Sequence, residues 1–219
     1  MRQRKEKNIN MKISYAITVC NEFVEIQRLL AFLRDLIRDQ DEIVVLYDQK
    51  NGDVQIEDFL RAKSVNSEFA WHAGDFNHHF ADWKNRLTEL CTGDYIFQID
   101  ADEIPHKSLL TNIPAIIESN DTNEVYWVPR INTVEGLTED DINNWHWKVN
   151  DKGWVNFPDP QMRIYKKSSN ITWKNKVHER LEGYNTYAML PQSEAYCLYH
   201  PKDIKRQRKQ NDYYDTLQP

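Results

Sequence analysis

Over the first hundred residues, hydrophobic positions alternate between two periods. Ile13 to Val19 (ISYAITV) is a short run rich in β-branched residues and predicts a strand. Asn21, with Glu22 behind it, is a candidate helix N-cap, and apolar residues then recur at Ile26, Leu29, Leu30, Leu33, Leu36 and Ile37, which is helical spacing. Glu42 to Tyr47 (EIVVLY) predicts a second strand, ended by Asp48 and a turn-like KNGD. A short helix over Val54 to Ala62 and a short strand over Phe69 to His72 follow. Phe80, Trp83, Leu87, Leu90 and Cys91 mark one face of another helix, which Gly93 stops, and Tyr95 to Ile99 is the fourth strand.

This order predicts right-handed βαβ units, hence an α/β fold with a Rossmann-like, mainly parallel sheet and helices on both faces. Nearly continuous apolar strands suit a sheet covered on both sides. Such sheets bind ligands beyond the carboxyl ends of their strands. Thr18 and Asn21, then Asp48, then Asp100 to Glu103 all fall at those ends, so residues distant in sequence converge on one edge.

After Pro105 the pattern changes. Leu109, Leu110, Ile113, Ile116 and Ile117 predict one more helix, and Glu124 to Ile131 a strand. Thr133 to Asp159 is long, polar and tryptophan-bearing, the kind of segment that serves as a lid or binding loop. QMRIYKK, ITW and EAYCLYH read as strands, and Ile204 to Leu217 as a terminal helix with a basic start. The chain therefore divides into a flexible tail 1–12, a ligand-binding half 13–105, and a second half 106–219 of the same domain.

Composition narrows the class. With 219 residues, 40% hydrophobic and 28% charged, the chain suits one soluble globular domain with a sizeable core. No apolar run approaches the ~20 residues that span a bilayer, and no apolar segment follows the basic start as in a secretory signal. Cys20, Cys91 and Cys197 lie far apart without metal-ligand spacing, which fits buried free thiols in a reducing cytoplasm. A net charge of −6 points away from a nucleic-acid partner. The exception is local: KDIKRQRK, from Lys202 to Lys209, is strongly basic.

The segment YIFQIDADEIP drives an apolar strand into Asp100, Asp102 and Glu103. Like charges this close repel, and unpaired carboxylates leave water at a cost. A bound cation would relieve both, and oxygen ligands suit Mg²⁺ or Mn²⁺ with phosphate oxygens completing the shell. The blander alternative is that Asp102 and Glu103 cap the helix after Pro105. Asp48 could accept from a nucleobase or ribose, or simply open the KNGD turn. Lys84, Asn85 and Arg86 could meet a diphosphate, balance the acids, or form a solvated helix face. In NKVHERL, Glu179 could be a general base and His178 a metal or phosphate contact, against an ordinary surface pair. His200, ending EAYCLYH, could complete a metal site or be a structural histidine. Lys205 and Arg208 in the basic run could close over a diphosphate, or face solvent. Arg163 in QMRIYKK is a further candidate contact.

Several blocks, together about two-thirds of the chain, resemble family 2 glycosyltransferases. ISYAITVCNEFVEIQRLL is similar to their first strand, Asn-Glu and helix. DWKNRLTELCTGDYIFQIDADEIP is similar to the block that ends in their Asp-x-Asp motif. WKNKVHERL with a later His resembles the sub-group of bacterial lipopolysaccharide-core glucosyltransferases. The resemblance implies a GT-A fold with a small C-terminal acceptor-side region. It also implies inverting transfer from a UDP-sugar to a carbohydrate or other hydroxyl acceptor, with Mn²⁺ or Mg²⁺. By position, Asp48 corresponds to the base-binding acid, Thr18 to the first strand end at the uracil, and Lys84 to a uridine or phosphate contact. Asp100 corresponds to the ribose or metal contact and Asp102 to the main metal ligand. Glu179 is the candidate base and His200 the candidate metal-binding histidine. Two departures stand out: Lys84 replaces a more usual Arg, losing bidentate geometry, and Asp-Gln-Lys-Asn follows the second strand where Asp-Asp-Gly-Ser is usual.

Tryptophans in the 145–173 region offer flat faces for sugar rings, or pack the core. A nucleotidyltransferase would carry a glycine-rich phosphate loop that ITVCNEF lacks, and a nuclease would sit poorly with the acidic charge. A non-catalytic nucleotide-sugar or carbohydrate-binding protein stays open as an alternative, as does a homodimer.

Overall fold

The computed structural model describes residues 11–65 and 68–217. The first half runs β1 (Ile13–Val19), α1 (Phe23–Arg34), β2 (Glu42–Asp48), α2 (Val54–Ser64), β3 (Ala70–Gly74), α3 (Phe80–Leu90) and β4 (Tyr95–Asp100). The second runs β5 (Ile104–Pro105), α4 (Lys107–Ser119), β6 (Val125–Val128), β7 (Arg130–Glu135), α5 (Glu139–Asn144), β8 (Gln161–Lys166), β9 (Thr172–Lys174), β10 (Arg180–Glu182), β11 (Tyr187–Met189), β12 (Leu198–Asp203) and α6 (Ile204–Leu217).

Seven strands form the main sheet in the order β11-β6-β8-β4-β1-β2-β3. The β4-β1-β2-β3 block is parallel, as the βαβ reading requires. β8 runs antiparallel to both β4 and β6, so the sheet is mainly parallel. Its two faces bury two apolar clusters. On one, Leu29 and Leu33 of α1, Ile56 of α2 and Ile113 of α4 pack on Ile17, Val45 and Phe97. On the other, Trp83 and Leu87 of α3 pack on Ala16, Leu46 and Ile96. Each buried Leu or Ile contributes roughly 1.5–3 kcal/mol, so these faces hold the strand ends in place. A second sheet, β5-β12-β7, stands beside the first and carries His200 and Asn132 as register partners.

Several sequence expectations need correction. α1 starts at Phe23 with Glu22 as its N-cap residue, one position beyond Asn21. Glu124 to Ile131 is two strands in two sheets, split at Pro129, which lacks the N–H a continuous ladder needs. Thr133 to Asp159 contains the end of β7 and α5, whose Thr138 and Asp141 form a reciprocal capping box. Residues 1–10 of the expected tail lie outside the described residues. Met11 and Lys12, placed in that tail, are instead tied down: Arg38 donates to the Met11 carbonyl, and Lys12 Nζ lies 2.7 Å from Glu42. Among the described residues, no helix is long and apolar enough to cross a membrane. Gly93 lies two residues beyond the Cys91 C-cap of α3, and a Cβ there would meet Ser14 Oγ at 2.6 Å.

Candidate active site

A cleft of about 1390 Å³ opens along the carboxyl ends of β1, β2 and β4. Thr18, Asn21, Asp48, Asp100 and Asp102 line it from the main sheet. The approach to β10 adds His178 and Glu179, β8 adds Arg163, β12 adds His200, and α3 adds Lys84. The convergence that the strand order predicts is therefore present in the fold.

The acids at the end of β4 do not wait for an external cation to become tolerable, which corrects the sequence-based argument. Arg163, almost wholly buried, places Nη2 at 2.6 Å from Asp100 Oδ2 and 2.5 Å from Glu103 Oε1. Glu103, fully buried, also accepts from Arg130 Nη1 at 3.0 Å and from the Asp100 backbone N–H at 3.1 Å. Burial alone would push the Asp100 carboxyl up, but Arg163 and then Lys84 hold it well below the usual carboxylate range. Nor do Asp102 and Glu103 cap the helix after Pro105: α4 is capped by His106, whose Nδ1 accepts from Ser108 N at 3.0 Å. Glu103 is thus a fully buried anchor of two arginines, and Arg163 is the counter-charge of the acidic turn.

Asp102 lies apart from that cluster. Its Oδ2 is 3.3 Å from His200 Nε2 and 3.2 Å from Arg206 Nη2. Burial raises its pKa, and the hydrogen bond and charge of His200, with Lys202 and Arg206, reverse the sign and keep it ionised. Burial pushes His200 the other way, below its ordinary value, toward the neutral ring. An ionised carboxylate and a neutral imidazole are the forms in which these groups ligate a divalent metal. The residues therefore fit a cation with two protein donors, leaving positions for phosphate oxygens and water. Among the described residues, no group of three or more His, Cys, Asp or Glu is arranged to hold a metal.

Glu179 Oε1 lies 2.5 Å from Lys84 Nζ, which is itself 3.9 Å from Asp100 Oδ1 and over the Trp173 ring at 4.7 Å. Lys84 is buried, so it balances the acids and is not a solvated helix face. Burial raises the Glu179 pKa, and Lys84 more than offsets it, leaving the carboxyl below its usual range. Asn85 clamps β9 to α3, donating to the Trp173 carbonyl at 2.9 Å and accepting from its N–H at 2.8 Å. Trp173 is nearly fully buried and meets the cleft from the core side, and Trp147 lines it as well.

At the other end, Asp48 does what a turn-opening acid does: Oδ1 accepts from Lys50 N, Asn51 N and Phe76 N at 3.1–3.3 Å. It also lines the cleft with Thr18, Phe76 and His78, and Tyr213 OH of α6 meets His78 Nδ1 at 2.7 Å. Gly52 is required beneath it, since a Cβ there would lie 2.2 Å from the Asp48 carbonyl. Cys20 is half-buried against Asp48, and burial followed by that negative charge raises its thiol to about 12.

The basic run sorts by helical phase. Lys205 lines the cleft as expected. Arg208 instead pairs with Asp141 of α5 at 2.8 Å, on another side of the helix. Arg206 and Lys209, which sequence reading passed over, face the cleft, and Arg206 pairs with Glu22 and Glu25 as well as Asp102. Writing 204–217 as a helix shows Arg206, Lys209 and Tyr213 on one face, so the signal was there. Arg130, Asn132 and Asp159 were also missed, and no local pattern marks them, because their partners are distant in sequence.

Paired acids, the buried cations Lys84 and Arg163, and aromatic side chains thus meet in one cleft at the strand ends of a mainly parallel α/β sheet. The model of glycosyl transferase family 2 matches residues 14–188, more than half of the chain, and the chain belongs to that family. Among solved structures it is similar to S. aureus TarS 1-349 in complex with UDP-GlcNAc, with TM-score 0.59 and 16% sequence identity, covering 88% of this chain and 59% of that one. The same fragment in complex with UDP gives TM-score 0.58 and 16% identity, covering 87% and 60%. Against the longer TarS structure the coverage of that chain is 37%. This chain thus spans about three fifths of the TarS fragments, and at this identity the likeness establishes the GT-A fold. No curated protein matches the chain in sequence.

Proposed function

We propose that this protein is a metal-dependent, inverting glycosyltransferase that moves a sugar from a UDP-sugar to a hydroxyl of a carbohydrate or other acceptor. The observation that carries the reading is the meeting of Asp48, Asp102 and Glu179 around one cleft, from three distant segments of the chain. That the similar S. aureus TarS fragment forms complexes with UDP and with UDP-GlcNAc supports the donor class.

Asp48 and Thr18 hold the nucleoside at the β1–β2 end, with Phe76 and His78 as its apolar wall. Asp102 and His200 would hold Mn²⁺ or Mg²⁺, whose charge would offset that building on the departing diphosphate. Lys205 adds positive charge from α6. Glu179, kept ionised by Lys84, takes the proton from the acceptor hydroxyl as that oxygen attacks the anomeric carbon from the face opposite the diphosphate. The new bond joins acceptor oxygen to anomeric carbon, the bond to the diphosphate oxygen breaks, and configuration inverts. Trp147 offers a flat face to an acceptor sugar. Residues 13–105 supply the donor end and 106–219 the acceptor and base, with α6 crossing back over the donor end. Three free cysteines support a reducing compartment, the cytoplasm.

A transfer and hydrolysis screen of nucleotide sugars with Mn²⁺ and Mg²⁺ tests this. UDP release from a UDP-sugar, dependent on the cation, is expected. UDP-sugar binding without turnover would instead mark a non-catalytic binder, and neither binding nor turnover would remove the reading.

A further inference from the structure

Asn132 joins the candidate cation site to a partly buried ion pair through the two ends of one amide. Its Nδ2 donates to Asp159 Oδ2 at 2.7 Å, and its Oδ1 faces His200 Nδ1 at 2.7 Å. The orientation follows from chemistry. Asp159 also receives Arg130 Nε at 2.9 Å and Nη2 at 2.8 Å, and Gln161 Nε2 at 2.8 Å. A carboxylate held by a guanidinium only accepts, so the NH₂ end of the amide must face it. The carbonyl end is then left for the imidazole, and only an Nδ1–H can satisfy it. With a proton held on Nδ1, the ring has Nε2 as the nitrogen left to bind a cation, 3.3 Å from Asp102 Oδ2. The parallel register of β7 and β12 makes Asn132 and His200 direct partners, which fixes this meeting in the backbone.

We infer that Asn132 is a positioning residue: by holding the proton of His200 on Nδ1, it keeps Nε2 open beside Asp102 for a divalent cation. This rests on the reading of Asp102 and His200 as the metal donors. Without the amide carbonyl, the ring is free to carry its proton on Nε2 and donate to Asp102, closing the site with an internal hydrogen bond. Outer partners of a ligating histidine act in this way, and losing one typically weakens metal affinity about 10–100-fold.

Two measurements on the full chain test it. In metal-free protein, long-range ¹H–¹⁵N correlation reads the His200 tautomer: Nδ1–H in the wild type, shifting toward Nε2–H in Asn132→Leu. Titration with Mn²⁺ alone, followed by the resonance signal of the free ion, should show binding weakened roughly 10–100-fold in Asn132→Leu. A circular-dichroism spectrum of Asn132→Leu that matches the wild type separates positioning from loss of fold. An Nε2–H tautomer in the wild type overturns the inference, as does wild-type Mn²⁺ affinity in Asn132→Leu when Asp102→Ala abolishes binding. If the wild type takes up no Mn²⁺, the metal-donor reading itself falls, and the inference with it.

Discussion

Lys84 and Glu179, 95 residues apart in sequence, meet with Nζ and Oε1 at 2.5 Å on the floor of the cleft. The contact keeps the carboxylate ionised and ties the turn before β10 to α3, the helix that feeds β4. It also links Glu179 to Asp100 and Arg163 through shared counter-charges.

Glu179→Gln should preserve shape and remove the proton acceptor. Turnover is expected to fall about 10²–10⁴-fold while UDP-sugar affinity is retained. Steady-state rates beside calorimetric donor binding decide it, and a collapse of donor affinity would show that Glu179 is not the base.

Arg163→Leu should be strongly destabilising, because Glu103 and Asp100 lose their shared partner in the interior. Removing one member of a buried ion pair costs about 3–5 kcal/mol. Denaturant unfolding measures it, and adding Glu103→Leu to Arg163→Leu should recover part of the loss. An unchanged midpoint would contradict the assignment of Arg163 as counter-charge.

Arg206 shares Asp102 Oδ2 with His200, so it competes with any cation at that oxygen. Arg206→Ala is expected to tighten Mn²⁺ binding, and Asp102→Asn to abolish it with the fold intact by circular dichroism. Weaker Mn²⁺ binding in Arg206→Ala would reverse this account of the α6 contact.

Glu42 gives a pH signature at the opposite edge of the sheet. Burial raises its pKa, but hydrogen bonds from Lys12, Ser14 and Thr92 win and lower it from 4.5 to about 2. A depressed carboxyl adds stability that is full above its unfolded value and lost as pH falls through the folded one. The stability gap between wild type and Glu42→Gln should therefore be widest above pH 4.5 and close toward pH 2. A gap that stays constant across that window would show that the hydrogen bonds do not set it.

The parallel half of the fold was legible because each strand is a compact apolar run and each helix keeps one buried face; Tyr95 to Asp100 and Phe80 to Leu90 are examples. The second half was less so. β5, β10 and β11 are two or three residues long, too short for any period to register. The site was half readable for a related reason. Asp48, Asp100 and Asp102 are marked by their strand ends, a local cue. Arg130, Asn132 and Asp159 owe their role to partners distant in sequence, and Arg206 to helical phase rather than to charge.

The central claim is that the cleft binds a nucleoside diphosphate with a divalent cation at Asp102. Calorimetric titration of the full chain with UDP, with and without Mn²⁺, addresses it directly. The account predicts one UDP site per chain whose affinity rises with Mn²⁺ in the wild type and no longer responds to it in Asp102→Asn. Identical UDP affinity with and without Mn²⁺ in the wild type, or no UDP binding at all, would contradict it.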